Sequence, residues 1–263
     1  MKKDLSNPSG PVQLNFINNV ATVTLNRPND LNTLTGDVID SLTEAFSVIA
    51  TDANIKVAVL TGNGRAFSAG LDLKMLSNES DVFQKHNKGQ QTEFIEKIAK
   101  CPKPVIGAIN GVAVAGGLEL ALCCDFLYAS DTAKFADTHA FVGVLPGWGL
   151  SQKLPRIVGI NRAKELSFSG RFFDAFEAQK WGLVNEVFPK ETLMSEVLNL
   201  AKNIATADMP ALLNIKSLMD HGWNMSLEDG LNYETQIAVP YSKSIDLSQM
   251  TKRLEQLKNR KTN

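Results

Sequence analysis

The chain has 263 residues, 44% of them hydrophobic and 21% charged, with a formal net charge of −1. That balance allows a large buried core and leaves no basic footprint for nucleic acid or an anionic membrane. The three cysteines lack metal spacing, Met1–Pro8 has no apolar signal core, and no apolar run reaches membrane-spanning length, so the expectation is a cytoplasmic protein with packed, reduced thiols.

In chain order, Val12, Leu14 and Phe16 alternate with polar residues, then Asn18-Asn19 precede the run Val20–Leu25. This predicts a hairpin. Asn26-Arg27-Pro28-Asn29-Asp30 breaks the second strand. Thr35 is placed to cap a helix whose apolar residues, Val38, Leu42, Ala45, Phe46 and Ile49, recur every three or four positions. Lys56–Thr61 reads as a buried strand closed by the turn Gly62-Asn63-Gly64. Phe67–Lys74 reads as a loop leading into a helix, and residues 77–92 as a polar, mobile segment. Phe94, Ile95, Ile98 and Ala99 resume helical spacing before Pro102 and Pro104.

The stretch from Val105 to Cys124 organises the rest. An apolar run breaks at Ala115-Gly116-Gly117 and resumes at helical length over Leu118–Cys124. Glycines at a strand-to-helix junction admit close backbone approach. The first N–H groups of the helix have no partner within it and can donate to an oxygen placed there. Glu119 sits in that first turn, so one segment offers a polarising amide and a carboxylate base. The plainer alternative is tight packing with Glu119 as a helix-start acid.

Beyond Asp125 the pattern predicts strands at Phe126–Ala129 and Lys134–Asp137. A loop, Gly143–Gly149, then opens a helix through Leu154. Asn161 and Asp174 are read as helix caps, and Val184–Phe188 as the last strand. Helices are expected near 191–206, 209–221, 226–238 and 246–259. The whole reads as α/β: strand-rich turns with outer helices over residues 1–200, then a helical region over 201–263.

Ser68-Ala69-Gly70-Leu71-Asp72, Asn110–Asp125 and Gly143–Pro146, in this order and spacing, resemble the crotonase family, the enoyl-CoA hydratases and isomerases. The resemblance runs from about Val12 to beyond Phe188. It implies a spiral of strand-strand-helix turns and assembly as homotrimers or homohexamers through the C-terminal helices. It implies an acyl-CoA thioester as substrate, with no metal or other cofactor, in fatty acid β-oxidation or related acyl-CoA catabolism. The thioester oxygen would lie between the N–H groups of Leu71 and Gly116. Ser68, Ala69, Asp72, Leu73 and Lys74 match positions along the CoA path, although Lys74 reads equally well as a solvated charge. Trp148 would line the acyl pocket or pack below it. Asp72 also reads as a helix cap.

Glu119 falls on the first catalytic glutamate of the hydratases. Counting back from Gly143, the second glutamate position holds His139, which departs from the family pattern. Asp137, two residues earlier, would share a strand face with His139 and orient its imidazole. Histidine can hold a water and move a proton, so acid–base chemistry by Glu119 and His139 is expected, against the alternative that His139 only lines the pocket. Hydration of a trans-2-enoyl-CoA to a 3-hydroxyacyl-CoA is the leading expectation. Double-bond isomerisation, acyl-CoA hydrolysis or decarboxylation, and non-catalytic acyl-CoA binding are the alternatives. A Ser68/His139 hydrolase is a further one, although Ser68 lacks a nucleophile elbow.

Overall fold

Alternation of apolar and polar residues in Val12–Leu25 yields an antiparallel hairpin, β1 (Val12–Ile17) and β2 (Val20–Leu25), with both turn residues, Asn18 and Asn19, at positive φ. Asparagine tolerates that conformation, which is what a two-residue turn between twisted strands requires. The computed structural model describes residues 7–72 and 93–260. The helix expected after Asp72, the polar segment 77–92, and with them Leu73 and Lys74, lie outside the described residues. The chain divides into two compact units between Met209 and Pro210.

After the hairpin come α1 (Gly36–Thr51), β3 (Val57–Gly62), β4 (Ala66–Ser68), α2 (Glu93–Ala99), β5 (Val105–Ile109), β6 (Val112–Val114) and α3 (Gly116–Ala121). Then follow β7 (Phe126–Ser130), β8 (Lys134–Ala136), α4 (His139–Val142), α5 (Leu150–Val158), α6 (Ile160–Ser169), β9 (Phe173–Asp174), α7 (Ala175–Lys180), β10 (Glu186–Phe188) and α8 (Leu193–Ile204). One sheet has the order β1-β2-β3-β5-β7-β10 and the other β4-β6-β8-β9. Three times the chain adds a strand to the large sheet and the next strand to the small one: β3 then β4, β5 then β6, β7 then β8. This is the strand-strand-helix repeat that the family resemblance implies; the residue pattern alone predicts a loop where β4 stands and no separate strand at β6. Because β4, β6 and β8 pair in parallel, their C-terminal ends emerge side by side, and the loops that follow them meet.

The central strands β3 and β5 of the large sheet are buried on both faces, which explains their unbroken apolar runs. Val57, Val59, Ile106 and Ala108 face α8, which contributes Leu193, Val197 and Ala201. Ala58, Leu60, Val105 and Ile109 face the main core with Leu42, Phe46, Phe67 and Phe94. The helix α8 is thus a structural layer of the first unit, and the boundary drawn at residue 200 falls inside it.

Caps behave as their chemistry dictates, with one exception. Thr35 Oγ1 accepts from the Val38 N–H at 3.4 Å. Asp174 and Glu177 form a reciprocal capping box. Asn161 does not cap: α6 begins one residue before it, with Gly159 at the N-cap in the left-handed half of φ space, a conformation glycine adopts without a Cβ penalty. The α3 helix starts at Gly116, two residues earlier than expected, and ends at Ala121.

The second unit is helical: α9 (Met209–Gly222), α10 (Leu227–Lys243) and α11 (Leu247–Arg260). The α10 helix runs through Pro240 instead of stopping before it. In α9 and α10 no residue is buried, and Met219, Trp223, Leu227 and Leu231 are exposed.

Candidate active site

Parallel pairing of β4 with β6 brings Ala69-Gly70-Leu71 against Ala115-Gly116-Gly117. The approach is so close that side chains would not fit. A Cβ on Gly117 would lie 2.0 Å from the Ser68 carbonyl oxygen, and one on Gly70 would lie 2.9 Å from the Val114 oxygen and 3.0 Å from the Gly116 nitrogen. Gly70 also has φ +88°. Between the strand and helix, Ala115 is held at φ 49°, a conformation that costs a non-glycine residue on the order of 1–3 kcal/mol.

The amides flanking this junction are committed. Ala69 N–H donates to Leu31 O at 3.0 Å, Asp72 N–H to Leu34 O at 3.2 Å, and Ala115 N–H to Ala136 O at 3.0 Å. Among the described residues, neither the Leu71 N–H nor the Gly116 N–H has a backbone acceptor. These are the two amides on which the sequence motifs converge, and the fold puts them on abutting loops.

Two asparagines that the sequence reading did not single out hold this junction. Asn32 Nδ2 donates to Ala66 O at 2.7 Å and Asn63 O at 3.0 Å, while its Oδ1 accepts from Arg27 N–H at 2.8 Å. Asn110 Nδ2 donates to Ala66 O at 3.1 Å and Gly64 O at 3.2 Å, and its Oδ1 accepts from Gly62 N–H at 2.9 Å. Both amides thus anchor the carbonyl of Ala66, at the start of β4. The only local signal was their position beside turns, which many surface asparagines share.

Ser68 is fully buried; its hydroxyl donates to Asn32 O at 2.9 Å and accepts from Gly70 N–H at 3.2 Å. It is a loop brace and is not poised as a nucleophile. The Asp72 carboxylate accepts from Thr33 Oγ1 at 3.1 Å and pairs with Arg27 at 3.4 Å.

Glu119 lies in the first turns of α3 and is 2% exposed. Its burial is tolerated because both oxygens have partners. Oε1 accepts from the Trp148 N–H at 2.7 Å and the Leu150 N–H at 3.3 Å, at the start of α5, where the helix dipole favours an anion. Oε2 lies 3.4 Å from His139 Nε2. His139 is itself 7% exposed. The shared strand face anticipated for Asp137 and His139 does not form: β8 ends at Ala136 and His139 opens the short helix α4. The turn between them swings Asp137 under the imidazole, so that Oδ1 accepts from both His139 N–H at 3.2 Å and Nδ1 at 2.7 Å. Asp137 reaches the imidazole through a turn, not through a shared strand face.

Burial alone would lower the His139 pKa, but the carboxylates of Asp137 and Glu119 on its two nitrogens outweigh burial and raise it from 6.5 to about 9. Burial would raise Asp137, yet its hydrogen bonds from His139 and Ser167 hold it below the usual carboxylate value. The imidazole is therefore a cation near neutral pH, clamped between two carboxylates. Cys123, one helical turn beyond Glu119, donates its thiol to the Glu119 backbone carbonyl at 3.2 Å, and burial pushes its pKa up to about 11, so it is unreactive.

Trp148 is buried. Its ring packs edge-on to Phe94 at 5.0 Å and lies against Gly116, where an added Cβ would come 2.7 Å from it. Among the described residues no three His, Cys, Asp or Glu side chains are grouped as a metal ion would require.

The arrangement is thus a buried carboxylate and imidazolium in contact, beside two amides at the junction of two loops. The family model described as enoyl-CoA hydratase/isomerase matches residues 15–261. The chain belongs to the enoyl-CoA hydratase/isomerase family. A probable peroxisomal enoyl-CoA hydratase 1 of Arabidopsis thaliana is 38% identical over 236 residues, 90% of this chain and 88% of the plant protein. The mitochondrial enoyl-CoA hydratase of Pongo abelii is 36% identical over 84% of this chain and 75% of its own length. Among solved structures, an enoyl-CoA hydratase from Bacillus anthracis superimposes with a TM-score of 0.88 at 32% identity, over 94% of this chain and 96% of that one. Among the described residues no helix is long and apolar enough to cross a membrane.

Proposed function

We propose that this family member adds water to a trans-2-enoyl-CoA to give the 3-hydroxyacyl-CoA, in fatty acid β-oxidation or related acyl-CoA catabolism. The observation that carries this reading is the buried contact between Glu119 and His139 beside the Leu71 and Gly116 amides. The thioester oxygen binds between those two N–H groups, which stabilise the enolate as charge builds on that oxygen. Glu119 takes a proton from water as the hydroxyl oxygen bonds to the β-carbon. The imidazolium of His139 gives a proton to the α-carbon and the enolate collapses to the thioester. Proton transfer from Glu119 to the now neutral imidazole, across the Oε2–Nε2 contact, restores the starting state. The activation comes from the thioester, so no metal or redox cofactor enters the scheme.

Ala69 flanks the acyl-CoA path in this reading, together with Leu73 and Lys74. Trp148, behind Gly116, bounds the acyl side. Assembly as a trimer or a dimer of trimers is part of the proposal; the exposed Met219, Trp223, Leu227 and Leu231 of the second unit support an interface there. So is a reducing compartment such as the cytoplasm, supported by the three free cysteines. The test is incubation with crotonyl-CoA and a longer enoyl-CoA, followed by mass analysis. Gain of one water supports hydration. An isomerised product of unchanged mass supports Glu119 shuttling a proton alone, and free CoA supports hydrolysis; either of these outcomes overturns the proposal.

A further inference from the structure

The hydratases that carry two glutamates need one of them as an acid and the other as a base. A carboxylate next to a carboxylic acid carries one negative charge and one transferable proton. A histidine in the second position would upset that balance if it stood alone. Paired with Glu119, a neutral imidazole would offer its proton poorly as an acid, and an imidazolium would leave the site with no net charge. The structure offers a third group. Asp137 Oδ1 lies 2.7 Å from His139 Nδ1 and 3.2 Å from the His139 N–H, while Nε2 points the other way, 3.4 Å from Glu119 Oε2. Two carboxylates around one imidazolium again leave one negative charge and one transferable proton.

We infer that Asp137 and His139 together replace the second glutamic acid of the site: Asp137 is a positioning residue that holds the imidazole by Nδ1, keeps its Nε2–H aimed at the reacting centre and restores the charge of the missing carboxylic acid. This inference rests on the hydratase reading and names a part of the machinery that the family motifs do not contain. The environment of the imidazole agrees with it. Among the described residues, the ionisable groups acting on the ring are Glu119 from α3 and Asp137 from the β8–α4 turn. From α6 the facing group is Ser167, which is neutral and bonds Asp137, so Asp137 is itself braced. Cys123, bonded to the Glu119 backbone carbonyl, stays protonated. The consequence is that the proton donor should survive well above the ordinary histidine range, and that without the Asp137 charge it should be lost as pH rises through that range.

The experiment has two readouts. The first is an NMR titration of the imidazoles in the full-length protein; there are three histidines, His86, His139 and His221, and His139→Gln assigns the one that matters. The expected result is that His139 remains doubly protonated through pH 8 and titrates near pH 9, with Asp137→Asn bringing that midpoint down by about one pH unit or more. A parent His139 that titrates near 6.5 overturns the inference without any variant and without any activity. The second readout is a double-mutant cycle with crotonyl-CoA. Asp137→Asn should lower turnover about tenfold or more at pH 8 and less at pH 6. In the His139→Glu background, where the carboxylic acid is back in place, that penalty should collapse. An equal loss in both backgrounds, or a loss independent of pH, makes Asp137 merely structural and overturns the inference. If Asp137→Asn does not fold, the parent titration decides alone. If the protein hydrates no enoyl-CoA at all, the functional reading fails while the titration still tests the pair.

Discussion

Adding a single methyl group at Gly117 should disable the site through geometry alone. The new Cβ would stand 2.0 Å from the Ser68 carbonyl oxygen, 2.7 Å from its carbonyl carbon and 3.0 Å from its Cβ, all but the last being backbone atoms. Ordinary contact begins at 3.4 Å, so the Ser68–Leu71 loop and the start of α3 must part by the difference, about 1.4 Å. An oxyanion donor acts over a window of about 2.7–3.1 Å, and Leu71 and Gly116 sit on opposite sides of the widened gap, so one of them leaves the window; loss of one donor costs about 10²–10³ in kcat. Overpacking a closed site also costs on the order of 1–3 kcal/mol of stability. For a chain of this length that should lower Tm by roughly 2–4 °C per kcal/mol. The assay is a circular-dichroism melt followed by loss of crotonyl-CoA absorbance. Gly222→Ala is the control, since a Cβ there meets nothing within 4 Å; its melt should be unchanged or slightly raised. If Gly117→Ala melts and turns over like the parent, the loops are not the rigid junction described here and the two-amide assignment falls.

Glu119→Gln keeps the oxygen that accepts from Trp148 and Leu150 but removes the base, so turnover should fall by about two or more powers of ten while acyl-CoA affinity, measured by calorimetry, barely changes. His139→Ala should lower hydration at least about tenfold, whereas His139→Glu should keep or raise it; turnover of the three proteins across pH 5.5–9.5 tests this, and equal profiles for parent and His139→Ala would reduce His139 to pocket lining. Because the folded pKa of His139 is raised, its contribution to stability is complete below 6.5 and is lost as pH rises through about 9, so denaturant midpoints should fall over that window in the parent and less in His139→Gln. The depressed Asp137 acts the other way, adding stability that disappears as pH falls through its folded value. Asn110→Ala removes the side-chain hydrogen bonds to Gly62, Gly64 and Ala66 and a long one from Thr61 behind the junction and should cost about 3 kcal/mol by chemical denaturation, with activity falling more than Tm alone explains.

Much of this molecule follows from local chemistry. The hairpin turn, the Thr35 and Asp174 caps, the alternating faces of the large sheet and the break at Ala115-Gly116-Gly117 each depend on residues a few positions apart, so pattern and spacing suffice to find them. The motif segments were legible for the same reason, and with them the place of Glu119 at a helix start, while the pairing of the Leu71 and Gly116 amides came only from the family resemblance. Other features depended on what the rest of the chain brings close. Nothing local distinguishes Asn32 and Asn110 from surface turn residues until Ala66 O arrives from another strand. Ser68 ends strand β4 where the pattern predicts a loop, Asp72 lies just beyond it, and their side chains turn to Asn32, Arg27 and Thr33. The carboxylate that accepts from Trp148 and Leu150 lies 29 and 31 residues from them in sequence. The chemistry of His139 is the sharpest case. Its residue type predicts titration near 6.5, but its charge is decided by where β8 ends, by the turn that carries Asp137 beneath the ring, and by the approach of Glu119 from α3. A pKa is a property of surroundings within a few ångströms in space, and only the folded chain supplies them.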